Sequence, residues 1–182
     1  MKNYDAQPII TLHASVPTAA SPDDVYRVLS DLSTHQVWAG EQAPSKVFRL
    51  LTVEAPGGQA TVGTTFSSTG ANAMSSTFHD RSVVVVADQG SRFGFDTEST
   101  LQRKHRPPWH VRFAHRYSIE PSNGGARVSY TCEVRPRNYV PYWLQPWMRP
   151  ATRAMVPRSI AKNMRNLARM AEGAREGDAA RR

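Results

Sequence analysis

A single cysteine, Cys132, excludes an internal disulfide, and one thiol cannot build a cysteine-rich metal site. No apolar run approaches the roughly 20 residues a membrane span needs, and the opening MKNYDAQP has no apolar core of the kind a secretory signal carries. A glycine-rich phosphate loop, a nucleophile elbow and a dinucleotide fingerprint are also absent, which argues against nucleotide-dependent and triad chemistry. The histidines do not fall at metal spacing: His110 and His115 are five apart on one apparent strand, on opposite faces, with no carboxylate at a useful interval. His79 and Asp80, adjacent on another strand, also face opposite ways and cannot act as an acid/base pair with each other. These features predict a soluble, cytoplasmic protein with no metal and no cofactor.

What is present is enough for one domain. The 182 residues can bury a substantial core, and 13 prolines with 11 glycines imply many turns. The formal charge of +8 is unevenly placed: from Pro136 onward ten Lys/Arg face three Asp/Glu, so +7 of it lies in the last 47 residues. A basic end of this kind suits nucleic acid, an anionic membrane surface, or simply a solvated helix face.

Read in order, Ile10, Leu12, Ala14 and Val16 alternate with Thr11, His13 and Ser15, the period of a half-buried strand that Pro17 ends. Ser21-Pro22-Asp23-Asp24 combines a capping serine, a proline at the first helical position and acids in the first turn, and Val25, Val28, Leu29 and Leu32 follow at helical spacing. A helix from Pro22 to about Leu32 is expected, then a turn carrying an inward Trp38. Strands follow over Lys46–Glu54, Val62–Thr69, Ser76–Asp88, Arg92–Ser99, Trp109–Glu120 and Arg127–Arg135, with turns at Ala55-Pro56-Gly57-Gly58, Gln89-Gly90-Ser91 and Ser122-Asn123-Gly124-Gly125. The run Val83–Val86 leaves its inward parity open. Cys132 alternates with Val128, Tyr130 and Val134, the setting of a buried, inert thiol.

The chain closes with Arg149–Glu172, where Ile160, Met164, Leu167 and Ala171 share one face and Arg158, Lys162, Arg165 and Arg169 another. A kink or fresh start is expected at Pro157 and a stop at Gly173. The order is strand, short helix, about six antiparallel strands and one long helix: an α+β layout in which that helix alone can cover one sheet face. Residues 1–8 are expected as a flexible N-terminus, 9–172 as the domain and 173–182 as a flexible basic tail.

Several strings resemble the START-like (SRPBCC) superfamily, which includes polyketide cyclases/dehydrases, plant pathogenesis-related allergens and lipid-transfer domains. They are Ser21-Pro22-Asp23-Asp24-Val25-Tyr26 with Leu32 and Trp38, Val62-Gly63-Thr64-Thr65-Phe66, the hairpin from Tyr117-Ser118-Ile119-Glu120-Pro121 to Gly124-Gly125-Ala126-Arg127-Val128, and Pro136-Arg137 before the last helix. The resemblance implies a helix-grip fold, a bent sheet of about seven strands around the terminal helix, enclosing a cavity for a lipid, polyketide or other apolar molecule. Membership of such a superfamily implies a pocket rather than one reaction. Where many relatives show Trp-x-Tyr, this chain reads His115-Arg116-Tyr117.

On that reading Trp38, Phe66, Phe95, Phe113, Tyr117, Tyr130, Met155 and Met164 form the cavity walls, with His115 supplying polarity. Three roles are open for His115: a buried imidazole satisfied by a tyrosine or backbone group, a polar contact to ligand, or the acid/base residue of a cyclase/dehydratase-type enzyme. Tyr117 and Tyr130 either pack in the core or offer hydroxyls to the same space. The aromatic approach to the last helix, with Tyr142, Trp143 and Trp147 ahead of Arg149 and Arg153, suits a portal or a lipid headgroup boundary as well as a cap on the core. A peripheral membrane or partner-binding module is therefore a third reading. Nucleic acid is disfavoured because the strands lack an aromatic platform interleaved with basic residues. Oligomeric state is open.

Overall fold

The alternation at the start of the chain produces β1 (Ile10–Thr18), in which Ile10, Leu12 and Val16 are buried while His13, Ser15 and Pro17 are exposed. A computed structural model describes residues 8–41, 48–72, 77–103, 106–138 and 144–179. Helix α1 (Pro22–Ser30) starts where expected: the Ser21 hydroxyl accepts from the Asp24 N–H at 3.2 Å, and Pro22 opens the first turn. It ends before Leu32 because Asp31 is extended and its carboxylate caps a separate short turn, Leu32–Thr34. The following turn, Val37–Glu41, buries Trp38.

Six further strands complete one sheet: β2 (Phe48–Glu54), β3 (Thr65–Asn72), β4 (Thr77–Asp88), β5 (Arg92–Arg103), β6 (Arg106–Ser122) and β7 (Gly125–Pro136). The order across the sheet is β1-β7-β6-β5-β4-β3-β2, antiparallel throughout, so β1 returns to pair with the last strand rather than its sequence neighbour. Two bulges set the parity that sequence alone leaves open. Between Leu50 and Thr52 the register slips, turning Leu51 to solvent while Leu50 and Val53 both face inward. Between Val84 and Val86 a second slip leaves Val84 as the buried member of the valine run. Bulges bend the strands that carry them and increase their twist, which helps the sheet curl toward one face.

Over that face lies α2 (Arg149–Ala179), a single 31-residue helix. Pro157 does not interrupt it. The proline removes one backbone bond, and the Arg158 guanidinium donates to the neighbouring Ala154 carbonyl at 3.0 Å. Gly173 does not end it either: its φ is not positive, so it lacks the left-handed conformation that stops a helix, and the element continues to Ala179. Met164, Leu167, Ala168 and Ala171 are buried. Two side chains pin the helix in place. Glu172 Oε1 accepts from Thr18 Oγ1 at 2.8 Å and from the Ala19 N–H at 2.9 Å, and Asn166 Nδ2 donates to the Trp38 carbonyl at 3.2 Å. The result is an α+β helix-grip fold.

The β6–β7 hairpin turns at Gly124, whose φ is +84°, and the next residue, Gly125, is pressed against the end of β1. A Cβ at Gly125 would collide with the Thr18 carbonyl oxygen and lie 2.7 Å from the Ala19 Cα, all backbone and unable to move aside. Gly125→Ala is therefore expected to destabilise the fold by about 2–3 kcal/mol in urea unfolding. Gly173→Ala, with nothing within 4 Å of its Cβ and helix on both sides, is expected to be stabilising by up to about 1 kcal/mol.

Candidate ligand-binding cavity

Inward-facing residues of the sheet line up in rows across the strands. One row runs Val84, Phe95, His115, Cys132 and Leu12, and the next Phe66, Ser82, Thr97, Phe113 and Val134. Beyond it lie Ser68, Asp80 and Ser99, directly opposed on β3, β4 and β5. With Trp38 and His35 from the turns after α1, and Val156, Ile160, Asn163 and Met164 from α2, these rows enclose a cavity of about 230 Å³.

Its walls are mostly aromatic at one end. Phe95 stacks on His115 at 4.5 Å between ring centroids and meets Phe66 edge-on at 5.2 Å. Tyr117 and Tyr130 lie 4.7 Å apart, and His35 sits 4.8 Å from Trp38. The other end is polar, with Ser82 and Thr97 hydroxyls bonded to each other at 2.8 Å and the Ser68 hydroxyl donating to Asp80 Oδ2 at 3.5 Å.

The structure brings Trp38, Phe66, Phe95, Phe113, His115, Tyr117, Tyr130 and Met164 around this one space. Met155 is not with them: it is 62% exposed and lies outside the cavity. The reason is the unbroken helix. Nine residues separate Met155 from Met164, two and a half turns, which places them on opposite faces unless the axis breaks at Pro157. Val156 and Ile160 take the wall position instead. Of the aromatic approach, Tyr142 and Trp143 lie outside the described residues. Trp147 is 61% exposed, Arg153 is exposed, and Arg149 is half-buried, its Nε donating to the Leu144 carbonyl at 3.1 Å.

Burial is the leading cause of the shifted titrations around this space. His115 shares a 2.6 Å hydrogen bond between its Nδ1 and the Tyr130 hydroxyl, and burial first, with the charge of Arg116 next, pushes its imidazole down to about 3. His35 donates from Nε2 to the Leu29 carbonyl at 2.8 Å, and burial lowers it to about 4 against the opposing effects of that bond and Asp31. Both rings are neutral at physiological pH. Asp80 moves the other way: burial raises its carboxyl to about 6, partly offset by the Ser99 and Ser68 hydroxyls and by His79. Burial also holds the Tyr117 and Tyr130 hydroxyls protonated and lifts the Cys132 thiol to about 12, so that thiol is no nucleophile.

His35, Asp80, the Ser/Thr rows and Asn163 escaped the reading of the sequence. Asp80 shares a strand face with Phe78, Ser82 and Val84, opposite His79, and the sheet makes that face the inward one. His35 lies in an irregular turn, where no periodicity reports orientation.

A wider hollow of about 780 Å³ opens on the outer sheet face, lined by Arg81, Glu98 and Arg112 among others. Arg112 pairs with Glu98 at 2.9 Å, with side chains 42% and 58% exposed. Such solvated pairs offer a guest little apolar surface to bury. The inner cavity is the better site.

A helix closed over a curved antiparallel sheet with an apolar, aromatic hollow between them defines a helix-grip protein of the ligand-binding type. The chain belongs to the polyketide cyclase/dehydrase and lipid transport family, which it matches over residues 10–172. Solved structures share the fold at low identity. An uncharacterized protein from Rhizobium leguminosarum has 15% identity and a TM-score of 0.63, covering 90% of this chain and 94% of its own. Protein CV1439 from Chromobacterium violaceum has 15% identity and a TM-score of 0.58, over 89% and 97%. The di-domain ARO/CYC StfQ of the steffimycin biosynthetic pathway has 14% identity and a TM-score of 0.64, over 92% of this chain and 52% of that one. No curated protein shows significant sequence similarity.

The opposed shifts make stability depend on pH. Below about 6.5 the unfolded chain protonates both histidines while the folded one does not, so each costs stability as pH falls; Asp80, protonated more readily when folded, recovers part of that between about 6 and 4. The net expectation is a loss of about 2 kcal/mol from pH 7 to pH 5, read by urea unfolding at the two values, and a shallower loss in His35→Gln.

Proposed function

We propose that the protein binds a small, largely apolar molecule in the cavity between its sheet and α2. The observation that carries this reading is the aromatic wall from Phe66 to Tyr130 around about 230 Å³ of unfilled space, where a close-packed interior would leave none. Transfer of a guest into it gains about 25 cal/mol per Å² of apolar surface removed from water. Met164, unbranched and polarizable, lets the wall adapt to related guests.

His115 acts here as a hydrogen-bonding contact. The name of StfQ describes an aromatase/cyclase, and a cyclase or dehydratase reading of this chain would have His115 move a proton. An imidazole held down to about 3 is a weak base at neutral pH, which favours binding over proton abstraction. Native mass spectrometry of freshly purified protein is expected to reveal a co-purified apolar molecule, lost in Ile160→Trp, where the larger side chain fills the cavity. His115→Ala is expected to weaken that complex by about 1–2 kcal/mol, roughly one hydrogen bond. Wild-type protein that emerges empty and binds no apolar probe overturns the proposal.

A second reading, a cytoplasmic protein that docks on an anionic membrane surface, draws on a different feature. Trp147 and Met155 are 61% and 62% exposed near the start of α2, close in sequence to the exposed Arg153 and Arg158. An aromatic and a flexible apolar side chain beside guanidinium groups match the chemistry of a headgroup boundary. Among the described residues no helix is long and apolar enough to cross a membrane, so contact would be peripheral. Flotation with phosphatidylglycerol vesicles but not with phosphatidylcholine, reduced in Trp147→Ala, is the expected result; absence of flotation with either removes this reading.

A further inference from the structure

Two residues that line the cavity carry oxygens whose hydrogen bonding is incomplete. Asp80 Oδ1 and Asn163 Oδ1 are both buried, both belong to residues that line the cavity, and neither has a hydrogen-bond partner among the described residues. They come from opposite walls, Asp80 from β4 in the sheet and Asn163 from α2 above it. Buried polar atoms are nearly always paired, so two orphaned oxygens on residues that line one space call for an explanation.

Their chemistry is one-sided. An ionised carboxylate accepts and never donates, and the Asn163 oxygen also accepts. The group that completes them must bring an N–H or O–H. A ketone, ether or ester oxygen placed there would face lone pairs with lone pairs.

The surroundings narrow the choice. Ser68 and Ser99 stand directly across from Asp80 on the flanking strands, and Ser82 and Thr97 follow one row further in. These hydroxyls can donate as well as accept, which suits a guest group that does both.

We infer that the guest carries a hydroxyl on an otherwise apolar body, seated with its O–H donating to Asp80 and its oxygen left to accept from a neighbouring hydroxyl, while Asn163 Oδ1 is open to a second donor of the guest. This rests on the cavity-binding reading and specifies its ligand class: a phenol, sterol-like or other hydroxylated apolar molecule, rather than a hydrocarbon or a guest bearing only carbonyls at that end. The aromatic end, with His115 and the two tyrosines, receives the rest of the guest.

The test uses the full chain and a matched pair of two-ring probes, 2-naphthol, which donates, and 2-methoxynaphthalene, which only accepts. Both suit the space, since an apolar cavity of about 150 Å³ already takes benzene. Calorimetric titration at about pH 7.5 keeps Asp80 ionised and 2-naphthol neutral. The expected result is about tenfold tighter binding of 2-naphthol, with that preference reduced to less than about twofold in Asp80→Val. Asp80→Asn, which keeps the shape and replaces one acceptor by a donor, is expected to narrow the preference as well and serves if the valine variant does not fold. Equal affinities in the wild type, tighter binding of the methoxy probe, or a preference that survives both substitutions overturns the hydroxyl assignment while leaving the cavity reading standing. Failure of both probes to bind overturns the two together.

Discussion

One helix must cover the inner face of seven antiparallel strands, and it cannot fill the space beneath it. Strand geometry sends every second residue of β1 to β7 to the same side, so Leu12, Phe66, Phe95, Phe113 and Tyr130 all demand shelter from water on one face. A 31-residue helix is roughly 45 Å long but only about 10 Å across. Its second half is held by short polar contacts, Glu172 to the end of β1 and Asn166 to the Trp38 carbonyl, which fix how closely that part approaches. Ahead of these pins the helix presents Val156, Ile160 and Met164 to the sheet without meeting it everywhere. The cavity is the volume that this mismatch leaves.

Burial then acts on whatever titratable group borders that volume. The same loss of solvent that keeps His35 and His115 neutral keeps a proton on Asp80 to higher pH than usual, because in each case the charged form suffers. The two kinds of group occupy different ends of the space. Neutral rings stack among Phe66, Phe95 and Trp38, whereas the carboxyl lies among serine and threonine hydroxyls. A guest that fits must therefore be apolar over most of its length and polar at one end. That requirement follows from the strand register, which puts Phe95 and His115 in one row and Ser68, Asp80 and Ser99 in another, with Phe66, Ser82, Thr97 and Phe113 in a mixed row between them.

Much of the architecture was legible because period-2 alternation and capping chemistry are local. Ser21-Pro22-Asp23-Asp24 starts a helix through contacts within four residues, and Trp109 to Glu120 declares its inward face by parity alone. The same parity placed Phe113, His115 and Tyr117 together before any fold was known. Reasoning failed where a nonlocal fact decided orientation. Met155, expected among the cavity walls, is turned to solvent by a helix axis that runs unbroken through Pro157. Asp80 faces opposite His79 on its strand, and nothing near it in sequence shows that its side borders a hollow rather than a packed core.

What the chain's order of residues determined by itself was the sequence of elements, the alternating sidedness of each strand, the absence of disulfide-forming partners for Cys132 and the family whose pattern spans residues 10–172. Tertiary structure alone decided how far α2 stands from the sheet, that β1 closes against β7, and which polar atoms end up beside one another across the gap. The division has a physical cause. Periodicity and capping arise from neighbours a few residues apart, whereas the gap between helix and sheet is set by contacts such as Thr18 with Glu172, which are separated by 154 positions and exist only once the chain has closed on itself.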